Sequence, residues 1–307
     1  MFGYAIKRLG SAIPTLLIII TIAFFMMRLA PGGPFDRERQ LPPEIEANIL
    51  KAYNLDKPIH EQYFDYLKNI VRGDFGPSYK YLDFTVNDLI LTGFPVSLKI
   101  GVMAILLAII IGVTTGTIAA LNQNSRFDYC VMGFAMVGIA IPNFVMAPLL
   151  ALCFGVYLSW LPVAGWGGGA LQYMILPVTT LALPQIAYIA RLTRGSMVET
   201  MHSNHIRTAR AKGLAEKTVV VRHALKGGLL PVVSYLGPAT AAVITGSVVI
   251  ESIFDVPGIG RYFVNGALNR DYPVVMGVVI FYAVLIMLLN LIVDLVYGFL
   301  DPRVKVD

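Results

Sequence analysis

Charge is what this 307-residue chain has least of. Only 14% of its residues are Asp, Glu, Lys or Arg, against 56% hydrophobic, and the mean hydropathy is +0.69. That composition excludes a water-facing globular surface and leaves lipid as the solvent. Cysteine is nearly absent as well: Cys130 and Cys153 lie in one apolar stretch. Far apart along a single helix, they cannot form a disulfide and are expected to be packing residues.

The signatures of chemistry are missing too. No Gly-x4-Gly-Lys-[Ser/Thr] loop occurs, and the nearest fragment, Gly213-Leu214-Ala215-Glu216-Lys217-Thr218, lacks the spacing that wraps phosphates with backbone amides. There is no Gly-x-Ser-x-Gly elbow and no His-Glu-x-x-His. Of four histidines, His202 and His205 share a helical face and His223 follows, but no cysteine or ordered carboxylate completes a metal site. The chain is therefore expected to be no enzyme by itself and to hold no cofactor or metal.

Apolar stretches are almost bare of carboxylates, with Asp294 near one end of the last and Lys99 near the start of the second, both read as interfacial. An ion-coupled secondary carrier, which needs titratable groups in its spans, is thereby left a distant alternative. A structural or signalling membrane protein is a further one. No repeat or low-complexity tract divides the chain, so residues 1–307 read as one membrane domain.

What is present is a series of charge-free runs, each long enough for a membrane-crossing helix of about 20 residues. Lys7 and Arg8 precede an apolar run resembling a signal peptide, but it continues to Met27 without a small-residue cleavage site and reads as a retained span. The run from Tyr129 to Ala190 is interrupted by Trp160, Pro162, Gly165, Trp166 and Gly167-Gly168-Gly169, and so divides in two. The expected fold is all-α, with six transmembrane helices at about 9–29, 95–121, 129–155, 172–192, 228–250 and 273–298.

The net charge of +5 sits between these runs, where it sets orientation rather than nucleic-acid binding. Segment 191–227 carries Arg191, Arg194, Arg207, Arg210, Lys212, Lys217, Arg222 and Lys226, whereas 155–172 has no Lys or Arg. This predicts a cytoplasmic segment 193–227, both termini cytoplasmic, and an external segment 31–94. In that segment Pro42-Pro43-Glu44 suits one short helix start. Tyr63, Tyr66, Leu67, Ile70 and Val71 recur at helical spacing in a second helix, which could lie on headgroups, pack on the spans or dock a partner.

Within the cytoplasmic segment, Ile206 to Leu214 predicts a short helix closed by Gly213, and Thr218 starts another. A small-residue knob on a helix flanked by basic residues suits insertion into a soluble partner, and it equally suits a loop that only satisfies the orientation rule. Outside, the turn Pro257-Gly258-Ile259-Gly260 with Phe254 and Tyr262 reads either as a gate or binding-protein contact or as an ordinary interfacial loop.

These residues resemble the permease subunits of binding-protein-dependent ATP-binding-cassette importers, in the peptide and nickel branch. Arg207, Thr208, Ala209, Arg210, Ala211, Lys212 and Gly213 are similar to that family's Glu-Ala-Ala-x3-Gly loop, with Arg207 in place of the Glu and Thr208 in place of the first Ala. Ala30-Pro31-Gly32, Gly73-Asp74-Phe75-Gly76-Pro77-Ser78, Ala140-Ile141-Pro142-Asn143-Phe144, Asn269-Arg270-Asp271-Tyr272-Pro273 and Leu300-Asp301-Pro302-Arg303 look like further branch signatures. Phe25 to Pro31, His202-Ser203-Asn204 and Phe263 to Leu268 are most similar to its oligopeptide importers. The resemblance implies a bacterial inner-membrane protein and a homologous second permease. It implies two cytoplasmic ATPase subunits holding ATP and Mg, with 207–213 docking on them, and a periplasmic oligopeptide-binding protein. Dipeptide, murein-peptide, antimicrobial-peptide and nickel systems are the alternatives inside the branch.

Overall fold

The structure is a computed structural model and describes residues 2–29, 51, 54–81 and 83–300. Among these the chain is all-α: α1 is Phe2–Leu29, α2 Ile59–Val71, α3 Val86–Leu121, α4 Arg126–Ala140 and α5 Asn143–Leu150, extended by a π-wound turn Ala151–Tyr157. After a glycine-rich loop come α6 at Leu171–Met201, α7 at Asn204–Ala211 and α8, a helical stretch over 216–228 that is π-wound at Val219–Ala224. Leu230–Ile253 forms α9, Ile259–Leu268 α10 and Tyr272–Leu300 α11.

Five helices are long and apolar enough to cross a membrane: α1, α3, α6, α9 and α11. The expected sixth span, at 129–155, is not one straight helix, because α4 and the helix after it are bent by 105°. Proline explains the break. Pro142 disfavours helical backbone at the residue before it, and Ile141 is extended at φ −86°, ψ 118°. Count the bent pair as one span and the total is six.

Other helices outrun their expected limits. The α3 helix starts at Val86 rather than 95, because Thr85 and Asp88 cap one another reciprocally there. The α6 helix continues to Met201, so the start of the 193–227 segment is helical rather than loop. The helix expected near Pro42 lies outside the described residues. The second helix expected in the 31–94 segment is α2, and it packs on a span: the Tyr63 ring stands edge-on to Phe24, and its hydroxyl shares a 2.7 Å hydrogen bond with Thr21.

The central contact is between α3 and α6. Their close approach depends on small residues, as the Gly112 and Gly116 spacing predicts: a Cβ on Gly112 would stand 2.8 Å from Ile189, and one on Gly116 would collide with the Ala190 carbonyl. Alternation of the spans leaves two ends. One collects α2, the 158–170 loop and α10, tied by Gly165 N–H to Phe254 O at 2.7 Å and Lys99 to Gly169 O at 3.3 Å. The other collects α7 and α8, where Ser196 donates to Gly228 O.

Both cysteines are free and exposed on the chain, which corrects their reading as packing residues. In a membrane protein the outside of an isolated chain is apolar as well, so an apolar residue in a span need not face its own core.

Candidate coupling helix and external turn

At the basic end, α7 stands on a small core of its own. Ile206 and Ala209 are buried with Met197 of α6, Ala120 at the end of α3, and Val219, Val220 and Ala224 of α8. The helix stops by a full Schellman closure: Gly213 N–H bonds Arg210 O at 2.9 Å, Leu214 N–H bonds Ala209 O at 3.4 Å, and Gly213 takes φ +74°. That left-handed backbone favours glycine, although no atom crowds a Cβ there.

The seven residues 207–213 therefore divide. Ala209 faces inward and seats the helix, while Arg207, Thr208, Arg210, Ala211, Lys212 and Gly213 are exposed. Arg210 is committed to Glu216 by two hydrogen bonds, 2.6 and 3.2 Å long. The pair holds the Glu216 carboxyl below its ordinary range and raises the Arg210 guanidinium. Arg207 and Lys212 make no ion pair with other described residues, so the uncommitted charge of this face is positive. His202 and His205 do not stand on one helix: α6 ends between them, His202 bonds Val198 O, and His205 bonds Ser203.

The base of this region is fixed to the spans by a pairing the sequence pattern did not disclose. Arg194 of α6 clasps Asp128 of α4 through two 2.6 Å bonds, and Asp128 is only 1% exposed. Asp128 also accepts from Asn124 N–H, which holds the α3–α4 turn.

At the opposite end, the Pro257–Gly260 turn is bolted inward. Phe254 is buried in the main core, and Gly258 and Gly260 are buried as well. Pro257 and Tyr262 are half-buried, with the Tyr262 ring edge-on to Tyr81 at 5.7 Å. The bolt is Glu251, which is 1% exposed. Its carboxylate accepts from Ser247 at 2.6 Å and from Gly260 N–H at 2.8 Å, while Ser97 of α3 accepts Ile259 N–H at 3.0 Å. The helix α9 runs on to Ile253, past the expected limit near 250, and its last turn carries Glu251 inside. Its Ser-x3-Glu spacing from Ser247 was the available signal, since i and i+4 share a helix face.

A second buried carboxylate, Asp271, works alike. It receives Ser78 Oγ at 2.5 Å, Tyr79 N–H at 3.1 Å and Lys80 N–H at 3.2 Å. The strand-like segment before α3 is thus fastened to the start of α11. Both carboxylates are met by protein donors, which makes them fasteners of this end of the bundle.

Residues 1–101 match the family model of the N-terminal part of binding-protein-dependent transport system membrane components. Residues 112–306 match the model of the binding-protein-dependent transport system inner membrane component. The chain is 59% identical over 305 residues to the oligopeptide transport system permease protein OppB of Salmonella typhimurium, covering 99% of this chain and 100% of that one. It is 55% identical to OppB of Haemophilus influenzae, over the same shares. The dipeptide transport system permease protein DppB of Bacillus subtilis is 46% identical, over 99% of this chain and 98% of its own. Among solved structures, a chain of the inward-facing MetNI methionine ABC transporter shares the fold at TM-score 0.60 and 15% identity, over 69% of this chain and 96% of that chain.

Proposed function

The chain belongs to the binding-protein-dependent transport system inner membrane components, and we propose that it is the permease forming half of an oligopeptide pathway across the inner membrane. The cargo assignment is supported by the full-length likeness to OppB proteins, which exceeds that to the dipeptide permease of Bacillus subtilis. A homologous permease completes the pathway. Two cytoplasmic ATPase subunits hold ATP and magnesium and supply the drive, and a periplasmic binding protein delivers and selects the peptide.

In this reading α7 is the coupling helix. The single observation that carries it is that Ile206 and Ala209 seat α7 in one packed cluster with Met197 of α6 and Ala120 of α3. A helix so seated moves with the spans, and a push on its exposed face becomes a rigid-body motion of the bundle. Arg207, Thr208, Ala211, Lys212 and Gly213 form the face presented to the ATPases, with the positive charge of Arg207 and Lys212 suited to an acidic rim. Closure of the ATPases on ATP drives α7 so that the pathway opens outward, and hydrolysis resets it inward.

The external turn is then a lock for the outer end. Phe254, Gly258 and Gly260 fix it from within, and Pro257 and Tyr262, with the exposed Asp255–Arg261 pair at 2.9 Å, form the side available to the binding protein.

The test is a cross-link. With Cys130 and Cys153 replaced by serine, a cysteine introduced at exposed Ala211 is expected to cross-link to the ATPase subunits, in a yield that changes between nucleotide-free and ATP-bound complex. A transport-competent complex giving no such cross-link overturns the coupling assignment.

A further inference from the structure

The end of the bundle opposite α7 holds a cavity of about 320 Å3 that belongs to neither surface described above. It lies between the last turns of α1, the α2 helix, the chain around Phe75 and the first turn of α11. Its size suits a small polar group rather than a whole peptide. Its lining mixes two chemistries: Phe24, Phe75 and Met276 are apolar, and Arg28, Lys68 and Arg72 bring three cations.

Among the described residues none of these cations makes an ion pair. The Arg28 guanidinium lies 5.4 Å over the Phe24 ring, a cation–π contact. Asp65 also lines the cavity; Lys57 holds its carboxylate at 2.7 Å and is the main cause of its lowered pKa, with a smaller contribution from Lys68. Tyr66 lines the cavity too, but its hydroxyl is buried, without a hydrogen-bond partner among the described residues. Three cations around a half-apolar hollow describe a receptor for an anion that carries an apolar part.

The surroundings identify where such an anion comes from. The α2 helix turns Phe64, 66% exposed, and Val71, 88% exposed, away from the protein, and α1 exposes Met26 and Leu29 at its last turns. Large apolar side chains on the outside of an amphipathic helix at the end of a span are the pattern of a helix lying in the membrane interface. The cavity thus opens at the depth of lipid headgroups, where clustered Lys and Arg attract anionic lipid.

We propose that this cavity binds the headgroup of one anionic phospholipid, its phosphate held by Arg28, Lys68 and Arg72 and its acyl chains laid against the exposed face of α1. The bound lipid ties α2 to α1 across the mouth of the bundle. This assignment is independent of the cargo, and neither peptide selectivity nor ATPase docking enters it.

The test compares the full chain, purified with its co-purifying subunits, with the variant Arg28→Gln/Lys68→Gln/Arg72→Gln, by native mass spectrometry after delipidation and addition of dioleoyl phosphatidylglycerol. The wild type is expected to retain one phosphatidylglycerol more than the variant and to gain in Tm on its addition, with at least half of that gain lost in the variant. Phosphatidylcholine should give neither effect, and Arg28→Lys/Arg72→Lys should behave as wild type. Equal retention and equal Tm gain in wild type and variant overturn the site. Displacement of the retained lipid by millimolar glycerol 3-phosphate overturns the lipid as its source in favour of a soluble phosphate. Should the triple variant fail to accumulate, Lys68→Gln and Arg72→Gln singly, both exposed side chains, decide by the same lipid count.

Discussion

Glu251, one turn of chain before α10, caps that helix from α9: its carboxylate accepts the N–H of Gly260, the second residue of α10, at 2.8 Å. An anion at a helix N-terminus is favoured by the helix dipole and meets a donor that has no partner inside the helix. Fit is as strict as charge here. A Cβ on Gly260 would collide with the Val248 backbone and stand 2.8 Å from the same carboxylate oxygen.

Glu251→Gln keeps the shape but turns one acceptor oxygen into a donor amide. It is expected to lower stability by about 1–3 kcal/mol, the cost of a buried polar group left unmatched. Gly260→Ala is expected to cost about as much through overpacking. Thermal unfolding of the purified complex, with limited proteolysis at the external turn, checks both; unchanged midpoints and unchanged cleavage would show that the turn is not held by this contact.

The Asp128–Arg194 clasp predicts strong coupling in a double-mutant cycle. Asp128→Asn or Arg194→Gln alone is expected to cost roughly 1–3 kcal/mol, the range for hydrogen bonds to charged groups, and the double variant much less than the sum. Additive effects on thermal stability would argue that the two residues act separately.

Residues of α7 that differ only in direction are expected to fail differently. Ala211→Glu places a carboxylate on the exposed positive face and should leave the chain inserted at wild-type level while uptake falls at least tenfold. Ala209→Glu buries an unpaired charge and should abolish accumulation of the chain itself. Membrane quantification alongside uptake separates the two, and equal accumulation with equal uptake for both would contradict the assigned orientation of the helix.

Removing the hydroxyl by Tyr63→Phe deletes the 2.7 Å bond to Thr21 while keeping the ring against Phe24. A loss of about 1 kcal/mol is expected, with faster hydrogen exchange in α2. No change in α2 exchange would mean the helix is held elsewhere.

Much of this was legible because lipid solvent makes patterns coarse. Long uncharged runs located the spans, the Gly112 and Gly116 spacing marked a close helix contact, and Gly213 located the end of α7. The break at Ile141-Pro142 was less so: an apolar run carries no phase information when both halves are apolar, and only the proline rule pointed to it. The fasteners were hidden for another reason. Nothing in the sequence marks Glu251, Asp271 and Asp128 as buried, because burial of a carboxylate depends on donors distant in the chain, such as Ser78 for Asp271 and Arg194 for Asp128. The seat of Ala209 was equally unreadable, since a helix of eight residues shows too few turns for its inner face to declare itself.

The most direct measurement is uptake of a labelled pentapeptide by cells lacking other peptide importers, with and without this chain, under separate depletion of ATP and of the proton gradient. The account predicts uptake only when the chain is present, lost when ATP is depleted and retained when the gradient alone is collapsed with ATP maintained. Uptake that survives ATP depletion and follows the proton gradient would contradict it.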